Sequence, residues 1–159
     1  MKIKVAVLTI SDSCAEGDRA DVSGQTIIDM LPEETFDVCE KKIVADDHDK
    51  IVKVLKNCSG EQGIDVVLTT GGTGLGPRDV TPEATAFVCE RMAPGFSEIL
   101  RVEGFRKTSK AILSRGAAGV RNNTLIINLP GSPKAVRECL EIILDVIPHA
   151  VKMMGGGGH

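Results

Sequence analysis

The chain has no tryptophan, no tyrosine and only four phenylalanines in 159 residues. Base-stacking platforms are built from such rings, so their scarcity argues against a nucleic-acid reader. Lysine and arginine are scattered, and the formal net charge is −3, so no basic stripe marks a phosphate-backbone surface. Histidine is also scarce: the three residues are His48, His149 and His159, and no Ser-His-Asp or Cys-His set can be assembled from them. The five cysteines, at 14, 39, 58, 89 and 139, form no Cys-x-x-Cys pair and have no histidine at zinc-finger spacing. Cys39, Cys58, Cys89 and Cys139 lie in or beside apolar stretches and read as small hydrophobes in a reducing cytosol, while Cys14 falls in a polar loop with nothing nearby to activate it. The longest apolar run falls far short of a membrane span. Met1-Lys2 leads into a strand-like run rather than a signal peptide. The expectation is a cytoplasmic protein with neither a membrane nor a nucleic-acid partner.

What is present is an alternation of short apolar runs with helical patterns, in a composition of 42% apolar and 26% charged residues. Strands are expected at 4–10, 36–44, 64–69 and 124–129, each rich in β-branched residues and closed by polar or glycine-containing turns. A polar loop follows the first strand as far as Ser23-Gly24. Helices are expected at 25–31, from Asp46 or Asp47 onward, at 82–92, at 94–105, and from Pro133 to an interruption or new start at Pro148, with a shorter turn or helix at 111–116. Strands alternating with helices imply an α/β fold: one domain, three layers (αβα), with a mostly parallel sheet. The domain is expected to span 1–154, followed by a flexible glycine tail at 155–159.

The densest chemistry lies in Thr69-Thr70-Gly71-Gly72-Thr73-Gly74-Leu75-Gly76-Pro77-Arg78-Asp79-Val80-Thr81-Pro82-Glu83. It joins a buried strand to a helix start, with Thr81 read as the N-cap and Pro82 as the first helical residue. Glycines at such a junction let backbone N–H groups approach an anion, so the loop reads as a phosphate cradle. It is not a Walker A loop, because Pro77 stands where that motif needs lysine, and the dinucleotide fingerprint fails at the same residue. Asp79 suggests a metal or acid–base role, against the plainer alternative of a partner for Arg78 or for the following helix. Asp46 is the second candidate carboxylate. The cluster Asp46-Asp47-His48-Asp49 also reads as an ordinary acidic helix start, with His48 exposed rather than ligating. Two aspartates beside bound phosphates suit Mg2+, which is held by one or two carboxylates and completes its shell with phosphate and water. Ser11-Asp12, Ala45-Asp46-Asp47, the loop from Thr70 to Asp79, and Gly131-Ser132 all follow strands, so an open sheet brings them to one edge. Gly131-Ser132-Pro133 fits either a second anion contact or a plain N-cap. Ser114-Arg115 reads as a weaker phosphate contact.

The run Thr70-Gly71-Gly72-Thr73-Gly74, Arg78-Asp79, Thr81-Pro82 resembles the signature of the MogA/MoaB family of molybdenum-cofactor biosynthesis. Ile10-Ser11-Asp12, Asp21-x-Ser23-Gly24, Ser114-Arg115-x-x-x-Gly119 and Asn128-Leu129-Pro130-Gly131-Ser132-Pro133 add supporting matches, and the resemblance covers about residues 3 to 153. It implies a homotrimer that binds molybdopterin, with Mg2+ and ATP used to adenylylate the pterin's terminal phosphate, and a possible hand-over of product to a molybdenum-insertion protein. The resemblance implies Asp79 and Asp46 as catalytic and metal-binding. Ser11, Asp12, Thr70, Gly71, Gly72, Thr73, Gly74, Ser114, Gly131 and Ser132 are the expected substrate contacts. Ala45 replaces a proline usual in the family, which leaves the alignment of Asp46 against Asp47 open, and Ser13 stands where a basic residue is common. A pterin-binding assembly protein without transferase activity is the alternative in this family. A nucleotide pyrophosphatase of the related competence-associated type is a third reading.

Overall fold

The computed structural model describes residues 1–60 and 62–157. Strand β1 (Ile3–Ile10) is followed by a one-turn helix α1 (Asp12–Ala15), α2 (Val22–Met30), β2 (Phe36–Val44), α3 (His48–Cys58), β3 (Val66–Thr70) and α4 (Thr81–Val88). Then come β4 (Arg91–Met92), α5 (Pro94–Lys107), a 3-10 turn (Ser109–Leu113), β5 (Ala118–Arg121), β6 (Thr124–Leu129), α6 (Pro133–Ile143) and α7 (Ile147–Met154). The sheet order is β2-β1-β3-β6-β5-β4. β2, β1, β3 and β6 are parallel, whereas at one edge β5 pairs antiparallel with β6 and β4 antiparallel with β5.

Alternation along the central strands divides the core in two, because successive side chains leave opposite faces of a strand. Val5, Val7, Val66, Leu68, Leu125, Ile127 and Leu129 pack under the layer formed with α2, α5, α6 and α7. Ala6, Leu8, Ile10, Val67 and Ile126 pack under α3 and α4 through Ile51, Val52, Leu55, Ala84 and Val88. Both faces of the parallel strands are therefore covered, and the three-layer expectation holds. Each fully buried Leu or Ile contributes roughly 1.5–3 kcal/mol relative to exposure, so the central strands β1, β3 and β6 anchor the sheet.

Four local expectations need correction. The helix expected over 82–92 stops at Val88, because Glu90 and Ala93 donate their N–H groups to Val120 and Ala118 (2.9 Å each) and the residues between them form edge strand β4. β5, its partner, was not expected; it is short and contains Gly119, so it lacks an apolar run. The polar stretch before Gly24 holds α1 and the first turn of α2, capped by Ser11 and Asp21 respectively. Thr81 is inside α4 rather than its N-cap, which is Val80. Pro148 opens α7, one of the two outcomes expected for it. Of the expected tail, residues 158 and 159 lie outside the described residues.

The chain enters β2 on one side of β1 and β3 on the other. The C-terminal ends of β1 and β3 therefore flank a topological switch point, where open α/β sheets bind ligands.

Candidate active site

The glycine loop leaves β3 at that switch point with Gly71 at φ 95° and Gly72 at φ 66°, a region that side chains other than glycine's rarely adopt. A Cβ on Gly71 would collide with the Ile10 carbonyl; one on Gly72 would collide with the Thr81 hydroxyl and lie 3.0 Å from Asp46 Oδ1. The base of the loop is closed by Thr81, whose N–H donates to Gly72 O (3.1 Å) and whose hydroxyl donates to Gly71 O (3.0 Å). The tip is closed by Asp79, whose N–H donates to Gly76 O (3.0 Å) while its Oδ2 accepts from Gly76 N (2.9 Å). Thr70 is buried and donates its hydroxyl to Pro130 O (2.7 Å), and Ser23 donates to Gly131 O (2.6 Å), so the second turn is tied to the first. Ser132 N-caps α6, accepting from Ala135 N (3.1 Å).

Two aspartates from different strand ends interlock beside this loop. Asp12 N donates to Asp46 Oδ2 (2.9 Å) and Asp46 N donates to Asp12 Oδ1 (3.0 Å). Arg78 reaches back across the loop and grips Asp12 with two N–H groups, at 3.0 Å to each oxygen, rather than pairing with its neighbour Asp79. That fork holds the Asp12 carboxyl below the usual aspartate range. Asp46 is shifted the other way: burial pushes it up, the carboxylates of Asp12 and Asp79 add to the rise, and the Asp12 N–H offsets part of it. Asp47 caps α3 by accepting from Lys50 N (3.0 Å). Geometry separates the two: Asp46 lies against the loop at Gly72, and Asp47 caps the helix. His48 pairs with Asp49 Oδ1 (3.2 Å) and stands edge-on to Phe87, apart from the loop.

On the β6 side of the loop a cleft of about 460 Å³ runs between α5, the 3-10 turn and α6. Gly72, Thr73, Gly74 and Asp79 line its mouth. Ser97, Lys107 and Lys110 line it further along, with Leu100, Leu113 and Ile142 as apolar wall. Ser114 and Gly131 also face it, whereas Asp46 lies just outside, against Gly72. Cys139 is in the wall, its thiol pushed up to about 11 by burial, which leaves it an inert protonated group. Under the cleft Asn128 is fully engaged: its amide donates to the hydroxyls of Thr69 (3.0 Å) and Thr85 (2.9 Å), and its oxygen accepts from Ala117 N (3.1 Å).

Residues 6–149 match the family model described as a probable molybdopterin binding domain. The chain belongs to this family. It is 46% identical over 97% of its length, and 89% of the relative's, to a protein of Helicobacter pylori named molybdopterin adenylyltransferase. Among solved structures, the molybdopterin biosynthesis enzyme MoaB of Thermus thermophilus superposes with a TM-score of 0.92 at 47% identity, covering 97% of each chain. The tungsten cofactor synthesizing protein MoaB of Pyrococcus furiosus superposes at 0.88 with 34% identity, covering 96% of this chain and 97% of that one.

The expected site residues of this molybdopterin-binding-domain chain converge, but with divided roles. Gly71, Gly72, Thr73, Gly74 and Asp79 form the loop, Ser11, Asp12 and Asp46 stand beside it, and Thr70, Gly131 and Ser132 hold the neighbouring turn. Arg115, read with Ser114 as a phosphate contact, is instead spent on the loop: it donates to Gly74 O (2.8 Å) and Asp79 O (2.7 Å) and pairs with Glu83. The Arg78–Asp12 fork was likewise not legible, since the partners are 66 residues apart. Among the described residues no group of three or more His, Cys, Asp or Glu side chains is placed to hold a metal ion by itself. Asp46 and Asp79, however, each have only one carboxylate oxygen occupied by a backbone N–H, leaving the other available. Two such carboxylates next to an anion cradle fit Mg2+ shared with substrate phosphates better than a site built from protein ligands alone.

Proposed function

We propose that this protein is a molybdopterin adenylyltransferase that transfers AMP from ATP to the terminal phosphate of molybdopterin and releases pyrophosphate. The observation that carries this reading is the placement of two aspartates on one glycine-rich turn, Asp46 against Gly72 and Asp79 against Gly74 and Gly76, each with a free oxygen. Near-full-length similarity to an enzyme of that name supports it. The cleft suits the pterin, being long, partly apolar and within the roughly 300–1,000 Å³ usual for small-molecule sites. Its mouth at Gly72–Gly74 would receive the pterin phosphate on backbone N–H groups, and Asp46 and Asp12 lie on the side left for the triphosphate. An oxygen of the pterin phosphate forms a bond to the α-phosphorus of ATP; the bond from that phosphorus to the bridging oxygen breaks, and pyrophosphate leaves with the electron pair. The attacking oxygen is already anionic, so no general base is needed, which accounts for a site without histidine. Mg2+ held by Asp46 and Asp79 would offset the charge of the converging phosphates. The chain's own contribution is to orient the two polyanions and keep the loop rigid, since positioning dominates such transfers.

We further read the protein as a cytoplasmic homotrimer that hands its product to a molybdenum-insertion protein. Self-association, which a trimer would satisfy, is supported by the exposed apolar side chains of Ile99, Val102 and Phe105 on α5 and Val146 before α7. Among the described residues no helix is long and apolar enough to cross a membrane. The deciding experiment incubates the protein with molybdopterin, ATP and Mg2+ and follows pyrophosphate and adenylylated pterin. Product requiring both substrates is expected, with kcat at least about 100-fold lower in Asp79→Asn, the order of loss when one stabilising polar group is removed, and with an unchanged Tm. Tight molybdopterin binding without pyrophosphate release would replace the enzyme with a binding module. Pyrophosphate release without pterin would refute both.

A further inference from the structure

The loop that carries Asp79 is closed by its own residues at base and tip, through Thr81 and through the Gly76–Asp79 pair. Neither closure fixes the loop relative to the cleft. The link across that gap is a single residue. Arg115 N donates to Thr73 O (2.8 Å), its Nε to Gly74 O (2.8 Å) and one terminal nitrogen to Asp79 O (2.7 Å), while the other terminal nitrogen pairs with Glu83 in the first turn of α4. Among the described residues, every hydrogen bond between segment 108–116 and loop 71–80 comes from Arg115. The same segment supplies Lys110, Ala111, Leu113 and Ser114 to the cleft wall.

We propose that Arg115 is a positioning residue: its guanidinium spans the Gly74 and Asp79 carbonyls and so sets where the Asp79 carboxylate stands relative to the cleft mouth. A planar fork suits this work, because one rigid group meets two carbonyls and a carboxylate in fixed directions, and lysine does not reproduce it. Glycine at 71, 72, 74 and 76 leaves the loop backbone with little stiffness of its own, so an external brace is needed where chemistry depends on placement. The guanidinium is also paired with Glu83, so its charge is already partnered in the folded chain. This inference rests on the reading of Asp79 as the loop's functional carboxylate.

Arg115→Lys and Arg115→Met are compared with the parent protein in two measurements. The first is amide hydrogen exchange without ligands. Faster exchange, by about tenfold or more, is expected in peptides covering 72–80, with β3 and β6 peptides unchanged. The second is the Mg2+ dependence of adenylyl transfer. We expect kcat to fall about 10- to 100-fold, the scale of loss from an ångström of misplacement, and the Mg2+ concentration for half-maximal rate to rise at least fivefold. Simple loss of folded enzyme would lower kcat without moving that concentration. Unchanged loop exchange in both variants overturns the proposal whatever the activity. Unchanged kcat and Mg2+ dependence with altered exchange also overturns it, since the brace would then not serve the reaction. A parent protein that makes no product refutes the transferase reading instead, and the exchange result then decides alone whether Arg115 sets the loop.

Discussion

Asp46 and Asp12 share one reciprocal contact, yet their surroundings shift them in opposite directions. They share reciprocal backbone hydrogen bonds, yet Asp12 has the Arg78 fork and Asp46 has burial and two carboxylate neighbours. The folded state therefore holds a proton on Asp46 more readily than the unfolded chain does, and ionised Asp46 costs stability at neutral pH. Asn in its place keeps an oxygen for the Asp12 N–H and removes the charge. Without divalent cation, Asp46→Asn is expected to raise Tm at pH 7, and the gain should shrink as pH falls through the range in which Asp46 takes up its proton. The same variant should lower kcat at least about 100-fold, because a site charge, not a packing group, is lost. Asp12 has the opposite sign: its contribution is present above the ordinary aspartate value and is lost as pH falls through its lowered value. A thermal-shift series over pH with and without the substitution measures this, and a variant less stable than the parent at pH 7 would contradict it.

At the scale of elements, the parallel strands were legible because each is a short β-rich run that ends in turn chemistry, and β1, β2 and β6 fall within a residue of the expected bounds. What could not be read were elements whose partners, not their sequences, define them: β4 is two exposed residues held by β5, and α1 is a single turn capped by Ser11. Cys14 and Cys39 exchanged their expected environments for the same reason, Cys14 being buried on the inner side of α1 and Cys39 lying exposed on edge strand β2. Asn128 gives this scale its test. It sits in β6 among buried apolar residues and joins three elements, bonding Thr69 of β3, Thr85 of α4 and the backbone before β5. Leucine fills similar volume but strands two hydroxyls and an N–H in the interior. Asn128→Leu is expected to cost about 2–4 kcal/mol, since each buried unsatisfied group costs roughly 1–3 kcal/mol and some relax. Urea unfolding measures it; a loss under about 1 kcal/mol would mean that the network is not a brace.

For the molecule as a whole, the site was legible as a set of strand ends and illegible as a set of bonds. Topology brings Ser11, Asp46, Gly71 and Gly131 to one edge, which the alternation of strands and helices already required. Which side chain grips which, as in Arg78 on Asp12 or Arg115 on the loop carbonyls, depends on loop geometry that no local pattern records. The same global view leaves one face unexplained by the monomer. Ile99, Val102 and Phe105 lie on the outer side of α5, and a groove lined by Pro94, Phe96, Ile99, Ile142 and Val146 continues beside them. Contiguous apolar surface on a chain with net charge −3 favours association over exposure. Burial of two or three such side chains per interface is worth several kcal/mol at roughly 1.5–3 kcal/mol each, whereas a carboxylate placed there would be desolvated without a partner. The parent is expected to sediment at three times the chain mass. Val102→Glu, at the centre of the stripe and outside the cleft lining, should sediment as a monomer with its far-ultraviolet circular dichroism unchanged. A parent that sediments as a monomer at micromolar concentration, or a Val102→Glu variant that remains trimeric, would remove this face from the assembly.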